Sequence, residues 1–173
     1  MNVRAVKQEL LRSFDLNGRT ARAPYLTFLL TAVVSYAAII SLGVVYLQES
    51  QIVTTIYIIT AVYYLPVTAA GVRRLHDIGE SGKLMLDPLK PAAALGGFLL
   101  LLQLWVFNSN TGSFIAIIAA LFLGRVLIAL LAIATVATAT LSMMYFSHTM
   151  GLLLLPSQPG TNKYGPNPLE VPS

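Results

Sequence analysis

The sequence predicts an all-α, polytopic membrane protein, and three observations carry that prediction. Of 173 residues, 56% are hydrophobic and only 10% are charged, where a soluble domain carries about 25% charged residues. Mean hydropathy is +0.73. The charges gather into short stretches separated by uncharged runs such as Ala23–Gln48 and Ser50–Val72, and about 20 apolar residues suffice to cross the hydrocarbon as a helix. The chain reads as a single membrane domain, 1–173. It has an N-terminal cytoplasmic arm (1–23), five transmembrane helices within 24–155, four being the alternative, and an extended polar tail (156–173).

In Asn2–Phe14, the residues Val3, Val6, Leu10, Leu11 and Phe14 recur at helical spacing with Arg4, Lys7 and Arg12 between them, a pattern that predicts a short interfacial helix. A frayed polar end is the other reading. Asp15-Leu-Asn-Gly18 breaks the period as a turn. The first span is Pro24–Leu47, with proline at the helix start and Tyr25 and Tyr46 near opposite interfaces. Ser50–Val72 forms the second, kinked at Pro66. Arg73–Lys90 is a charged connector. The third span begins near Pro91 and ends near Trp105 and Phe107, before the loop-forming cluster Asn108–Ser113. Within it, Ala92/Gly96 and Ala93/Gly97 offer small residues for close helix packing.

Phe114–Leu155 is uninterrupted for 42 residues, about 63 Å as one helix and twice the hydrocarbon thickness. Two arrangements resolve it. One is a hairpin of two spans, Phe114–Ala134 and Val136–Leu155, although Thr135–Thr140 has no Gly, Pro or charge to make the turn. The other is an interfacial Phe114–Gly124 followed by one long span, with Arg125 at the water boundary.

Counting Lys and Arg in short loops orients the chain. The arm has five (Arg4, Lys7, Arg12, Arg19, Arg22) and the connector four (Arg73, Arg74, Lys83, Lys90), whereas the loops at Glu49 and Asn108–Ser113 have none. Arm and connector are thus expected in the cytoplasm. The net charge of +4 sits at the edges of apolar runs, which favours anionic lipid headgroups over nucleic acid as partners; other membrane proteins are a further class of partner. With no cysteine there is no thiolate chemistry or disulfide framework.

The strongest local signal is Val72-Arg73-Arg74-Leu75-His76-Asp77-Ile78-Gly79-Glu80-Ser81-Gly82. A helix running to about Ile78 is closed by Gly79 in the left-handed conformation, with Arg73 and Asp77 on one face at i,i+4. At headgroup level the two arginines would grip a phosphate and His76 would titrate near neutral pH. The plainer reading is positive-inside anchoring plus a helix cap.

Three motifs resemble the bacterial domain-of-unknown-function 805 family. They are Asn17-Gly18-Arg19-x-x-Arg22, then Arg73-Arg74-Leu75-His76-Asp77 with Ser81-Gly82, and Gln158-Pro-Gly160-Thr-Asn162-Lys-Tyr164-Gly165-Pro166-Asn-Pro168. The resemblance implies a multi-pass inner-membrane protein with no assigned activity. The chain departs from the family pattern at Ala23-Pro24-Tyr25, where an acidic residue and aromatics are usual. It departs again at Glu80, often basic in the family, and at Lys83-Leu84, in place of tryptophans. Relatives need one span between the second motif and the tail, so the extra length of about 40 residues fits a two-helix insertion and favours five spans. Placing all three motifs on one face requires an even number.

Arg125 is the one charge inside a long apolar run. In the five-span arrangement it lies as far from the turn near Val136 as His148 does, giving a shared intramembrane polar site for a small transporter or channel. In the four-span arrangement it snorkels to the interface. No metal cluster is available with His76 and His148 as the only histidines, and no phosphate loop or nucleophile elbow is present. The expectation is a non-enzymatic inner-membrane protein, without cofactor or metal. Its cytoplasmic Arg19, Arg22, Arg73, Arg74, His76 and Asp77 would bind lipid headgroups or a partner.

Overall fold

The computed structural model describes residues 3–108 and 114–170, giving the backbone alone at 3, 49, 50, 53, 102–108, 114–123 and 125. It is helical, in the order α1 (Val3–Leu11), α2 (Arg22–Tyr46), α3 (Glu49–Asp77), a 3-10 helix (Gly82–Leu89), α4 (Lys90–Asn108) and α5 (Phe114–Leu153). Among the described residues, four helical stretches are long and apolar enough to cross a membrane: Arg22–Tyr46, Thr54–Asp77, Gly82–Leu101 and Val126–Leu153.

The hairpin expected near Val136 is not formed, because α5 runs unbroken for 40 residues. Thr135–Thr140, which has no Gly, Pro or charge to make a turn, stays helical, and its hydroxyls bond back into the helix: Thr135 donates to the Leu131 carbonyl at 2.7 Å and Thr140 to that of Val136 at 2.9 Å. The expected loop after Asn108 falls on 109–113, and the side chains of Trp105 and Phe107 likewise lie outside the described residues. Gly96 and Gly97 meet nothing within 4 Å among the described residues.

The chain divides into two compact units, one made of residues 1–85 with 149–173 and the other of 86–148. In the first unit α2 and α3 pack as antiparallel neighbours joined by Leu47 and Gln48, both extended. Hydroxyls stitch the pair: Tyr63 donates to Ser35 at 3.1 Å and Tyr36 meets Thr60 at 2.9 Å. The Tyr36 and Tyr63 rings meet edge to face at 5.5 Å. Such bonds hold helices together in lipid, where apolar burial drives little association. Helix α3 continues through Pro66.

Helix α1 forms, but its buried face is Ala5 and Glu9, while Leu11 and Phe14 are 77% and 84% exposed. The arm therefore packs on α2 and α3 through its Ala5/Glu9 side, with Val6, at the near edge of the apolar stripe read in the sequence, against the core. Tyr25, Phe28, Ala70, Leu75 and Leu153 form the apolar core of this unit. Val6 of the arm, Leu84 and Met85 of the 3-10 helix, and Met150 and Leu152 at the end of α5 pack against it. In the second unit the described side chains of α4 and α5 are mainly exposed and apolar, including Phe98, Leu101, Ile128 and Ile133.

Candidate functional site

Helix α3 ends where expected. The Gly79 N–H donates to His76 and the Glu80 N–H to Leu75, at 3.2 and 2.9 Å, with Gly79 at φ +86°. This is a Schellman closure, which turns the chain sharply after Asp77. The returning segment lies close on α3, since a Cβ on Gly82 would stand 2.5 Å from the Val72 side chain. The closure leaves Arg73, Arg74 and Asp77 at the helix end with zero exposure.

Each of three arginines binds the carbonyl end of a different helix. Arg73 donates through Nη1 to the carbonyls of Arg12 (2.6 Å) and Asp15, just past α1. Its Nη2 meets Glu9 at 2.5 Å and its Nε meets Thr20 at 3.4 Å. Arg74 donates to the carbonyls of Leu153 (3.0 Å) and Leu155, ending α5, and pairs with Asp77. Arg19 reaches Asp77 Oδ1 at 3.0 Å and the Asp77 carbonyl at 3.1 Å, ending α3. It also takes three tail carbonyls: Gln158 (2.6 Å), Gly160 (2.8 Å) and Gly165 (3.2 Å).

This geometry answers a difficult electrostatic problem. Three buried guanidiniums face only two buried carboxylates, Glu9 and Asp77, so one positive charge lacks a formal partner. Helix C-termini carry about half a negative charge each, and the convergence of three of them supplies the remainder. Every guanidinium nitrogen of Arg19, Arg73 and Arg74 has an acceptor, as a desolvated cation requires. Asp77 is equally saturated, taking Arg19 on one oxygen and Arg74 with Ser157 on the other.

The tail is bound by more than Arg19. The Gln158 N–H donates to the Asp77 carbonyl at 2.9 Å. Asn162 donates to the His76 carbonyl at 2.9 Å, and the Tyr164 ring stacks on His76 at 3.7 Å with planes 8° apart. Lys163 lies over the outer face of that ring, 4.9 Å from its centre. His76 Nδ1 in turn contacts the Gly18 carbonyl at 3.3 Å. At the turn after α1, the Asn17 backbone N–H and the Arg12 guanidinium hold the Asp15 carboxyl below its usual range.

Of the residues expected to form a binding face, Arg19, Arg73, Arg74, His76 and Asp77 are thus brought together, while Arg22 is exposed beside them. The expected Arg73–Asp77 pair is not made. Asp77 pairs with Arg74 and Arg19, and Arg73 turns to Glu9. Sequence reading missed Glu9, Thr20 and Ser157, polar residues on the arm and tail that contact the arginines.

The proposed Arg125/His148 site is not assembled. In one continuous helix the two positions are 23 residues apart, about 34 Å along the axis, and His148 is exposed. The Arg125 side chain lies outside the described residues. Among the described residues no three His, Asp or Glu side chains come together to hold a metal.

No curated protein and no solved structure matches this chain. A family model described as a protein of unknown function (DUF805) matches residues 13–166, a stretch that contains the first two motifs whole and the third as far as Pro166. That match covers most of the chain, from the turn after α1 through the Tyr164-Gly165-Pro166 end of the bound tail, and the protein accordingly belongs to the DUF805 family.

Proposed function

We propose that the protein is a non-enzymatic, multi-pass component of the bacterial inner membrane, with arm and tail both in the cytoplasm, whose cytoplasmic face binds anionic lipid headgroups. The observation that carries this reading is a division of labour among the basic residues. Arg19, Arg73 and Arg74 are consumed internally, joining arm, α3 and tail. Arg4, Lys7, Arg22, Lys83 and Lys163 of the same unit are exposed, against exposed Glu80 and Glu170. The surface left over is therefore positive, and each basic residue near an anionic leaflet contributes about 1 kcal/mol.

Four spans accord with this orientation. Arm and tail meet at one end of α2 and α3, and an even number of crossings returns the chain to its starting side. The tail then adds Lys163 to the nine basic residues of arm and connector, leaving Arg125, just before the Val126–Leu153 stretch, on the outer side. That distribution follows the positive-inside rule more closely than five spans would.

The test is lipid retention by the full-length protein, measured by native mass spectrometry from mixed phosphatidylglycerol and phosphatidylcholine micelles. The unaltered protein should retain the anionic lipid preferentially. Replacing Arg22 and Lys83 together by Gln should reduce that retention roughly thirtyfold while leaving the fold intact. Equal retention of the two lipids by the unaltered protein would refute the reading.

A further inference from the structure

The arm, α2 and α3 enclose a cleft of about 300 Å³ lined by Val6 and Leu10 of α1, Phe28, Ala32 and Ser35 of α2, and Val62, Tyr63 and Pro66 of α3 among others. We infer that this cleft holds one acyl chain of an anionic phospholipid whose headgroup is bound by Arg4 and Lys7 on α1. The inference rests on the headgroup-binding reading above and gives it a defined site.

Four observations converge on that occupant. The volume lies at the lower limit for small-molecule sites, narrow enough for a hydrocarbon chain. The lining hydroxyls are already engaged with the protein: Thr31 donates to the Thr27 carbonyl at 2.7 Å, Ser35 to that of Thr31 at 2.8 Å, and Tyr63 to Ser35 at 3.1 Å. A polar ligand would find little to orient it, whereas an alkyl chain needs only apolar walls.

Charge complementarity selects the lipid class. At 100° per residue, Lys7 stands about 60° round α1 from Leu10, and Arg4 about 60° further. The helix thus presents, in sequence round its circumference, the Ala5/Glu9 face packed in the protein, the Val6/Leu10 face on the cleft, and then two exposed cations. A phosphate at the mouth of the cleft would meet those cations while its chain ran between α2 and α3. The exposed Leu11 and Phe14 set the same arm at the depth of the headgroup and acyl boundary.

The experiment uses the full-length chain in nanodiscs. They carry phosphatidylglycerol or phosphatidylcholine with a photoreactive diazirine at the end of one acyl chain, and crosslinked residues are mapped by peptide mass spectrometry. Crosslinks from phosphatidylglycerol should concentrate at the cleft residues, several-fold above the outward faces of α2 and α3 and several-fold above those from phosphatidylcholine. Ala32→Phe, which fills the cleft, should lower them several-fold, and Arg4→Gln with Lys7→Gln should abolish the preference for phosphatidylglycerol. Crosslinks spread evenly along the outward faces of the unaltered protein would overturn the inference, a result that needs no variant to fold. If anionic retention persists in that case, the headgroup reading stands alone. Equal crosslinking by the two lipids, or a second protein chain crosslinked at the cleft in place of lipid, would overturn it as well.

Discussion

Arg73 shows how much a single side chain is asked to do. Its planar fork contacts Glu9, Thr20 and the carbonyls of Arg12 and Asp15 at once, a geometry that lysine cannot reproduce. Arg73→Met leaves the Glu9 carboxylate buried without its cation, and breaking a buried pair in this way costs about 3–5 kcal/mol. Thermal unfolding in detergent should register that loss. Glu9→Gln in the Arg73→Met background should recover part of it, because the remaining group is then neutral. If the double variant is as unstable as the sum of the two single ones, the pair is not coupled. Arg73 stood out in the sequence because charge is so scarce in the chain, whereas Glu9 did not. Their pairing was not legible there. Periodicity ranks neighbours at i,i+3 and i,i+4, whereas the partner of Arg73 lies 64 positions away and that of Arg19 lies 58 away.

Helices were read with unequal success, and the reasons differ. The end of α3 was visible because Gly79 follows the last turn, and φ of +86° at that position is a conformation that disfavours any Cβ. Gly79→Ala should therefore cost about 1–2 kcal/mol in the left-handed backbone alone. The added methyl would also stand 2.7 Å from the Gln158 side-chain oxygen. The expected readout is a lowered unfolding temperature together with faster protease cleavage in the tail; unchanged tail protection would show that the closure and the tail are independent. Helix α5 was harder to read. Its length argued for a hairpin, but Thr135–Thr140 holds no Gly, Pro or charge to make the turn, and its threonines bond back within the helix. Length limits what crosses a bilayer, and it does not by itself make a turn. Helix α1 was legible as a helix yet not in its orientation, since Glu9 is drawn inward by a cation far along the chain.

Taken whole, the molecule brings the two ends of its chain to one place. Three separate motifs were recognisable in order along the sequence, and their common location was readable only as a parity argument on the number of spans. A chain ending at Leu155 would retain the four apolar helices but strip Arg19 of its contacts to Gln158, Gly160 and Gly165 and Arg74 of its contact to Ser157. It should insert, unfold several degrees lower, and expose the arm to protease between Arg19 and Arg22; an arm as protected as in the full chain would contradict the tail's structural role. The same arrangement sets the order of events during synthesis. Arg19 and Gly165 are 146 residues apart, and the contact between them can form only once the tail has followed α5 out of the ribosome. Until then Arg19 lacks the carbonyls of Gln158, Gly160 and Gly165 and Arg74 those of Leu153 and Leu155, whereas every acceptor of Arg73 already precedes it in the chain. Such contacts between distant positions close slowly and late. A chain stalled before the tail therefore holds Arg73 on the arm while Arg19 and Arg74 are short of acceptors, so the three arginines take up their partners in two steps.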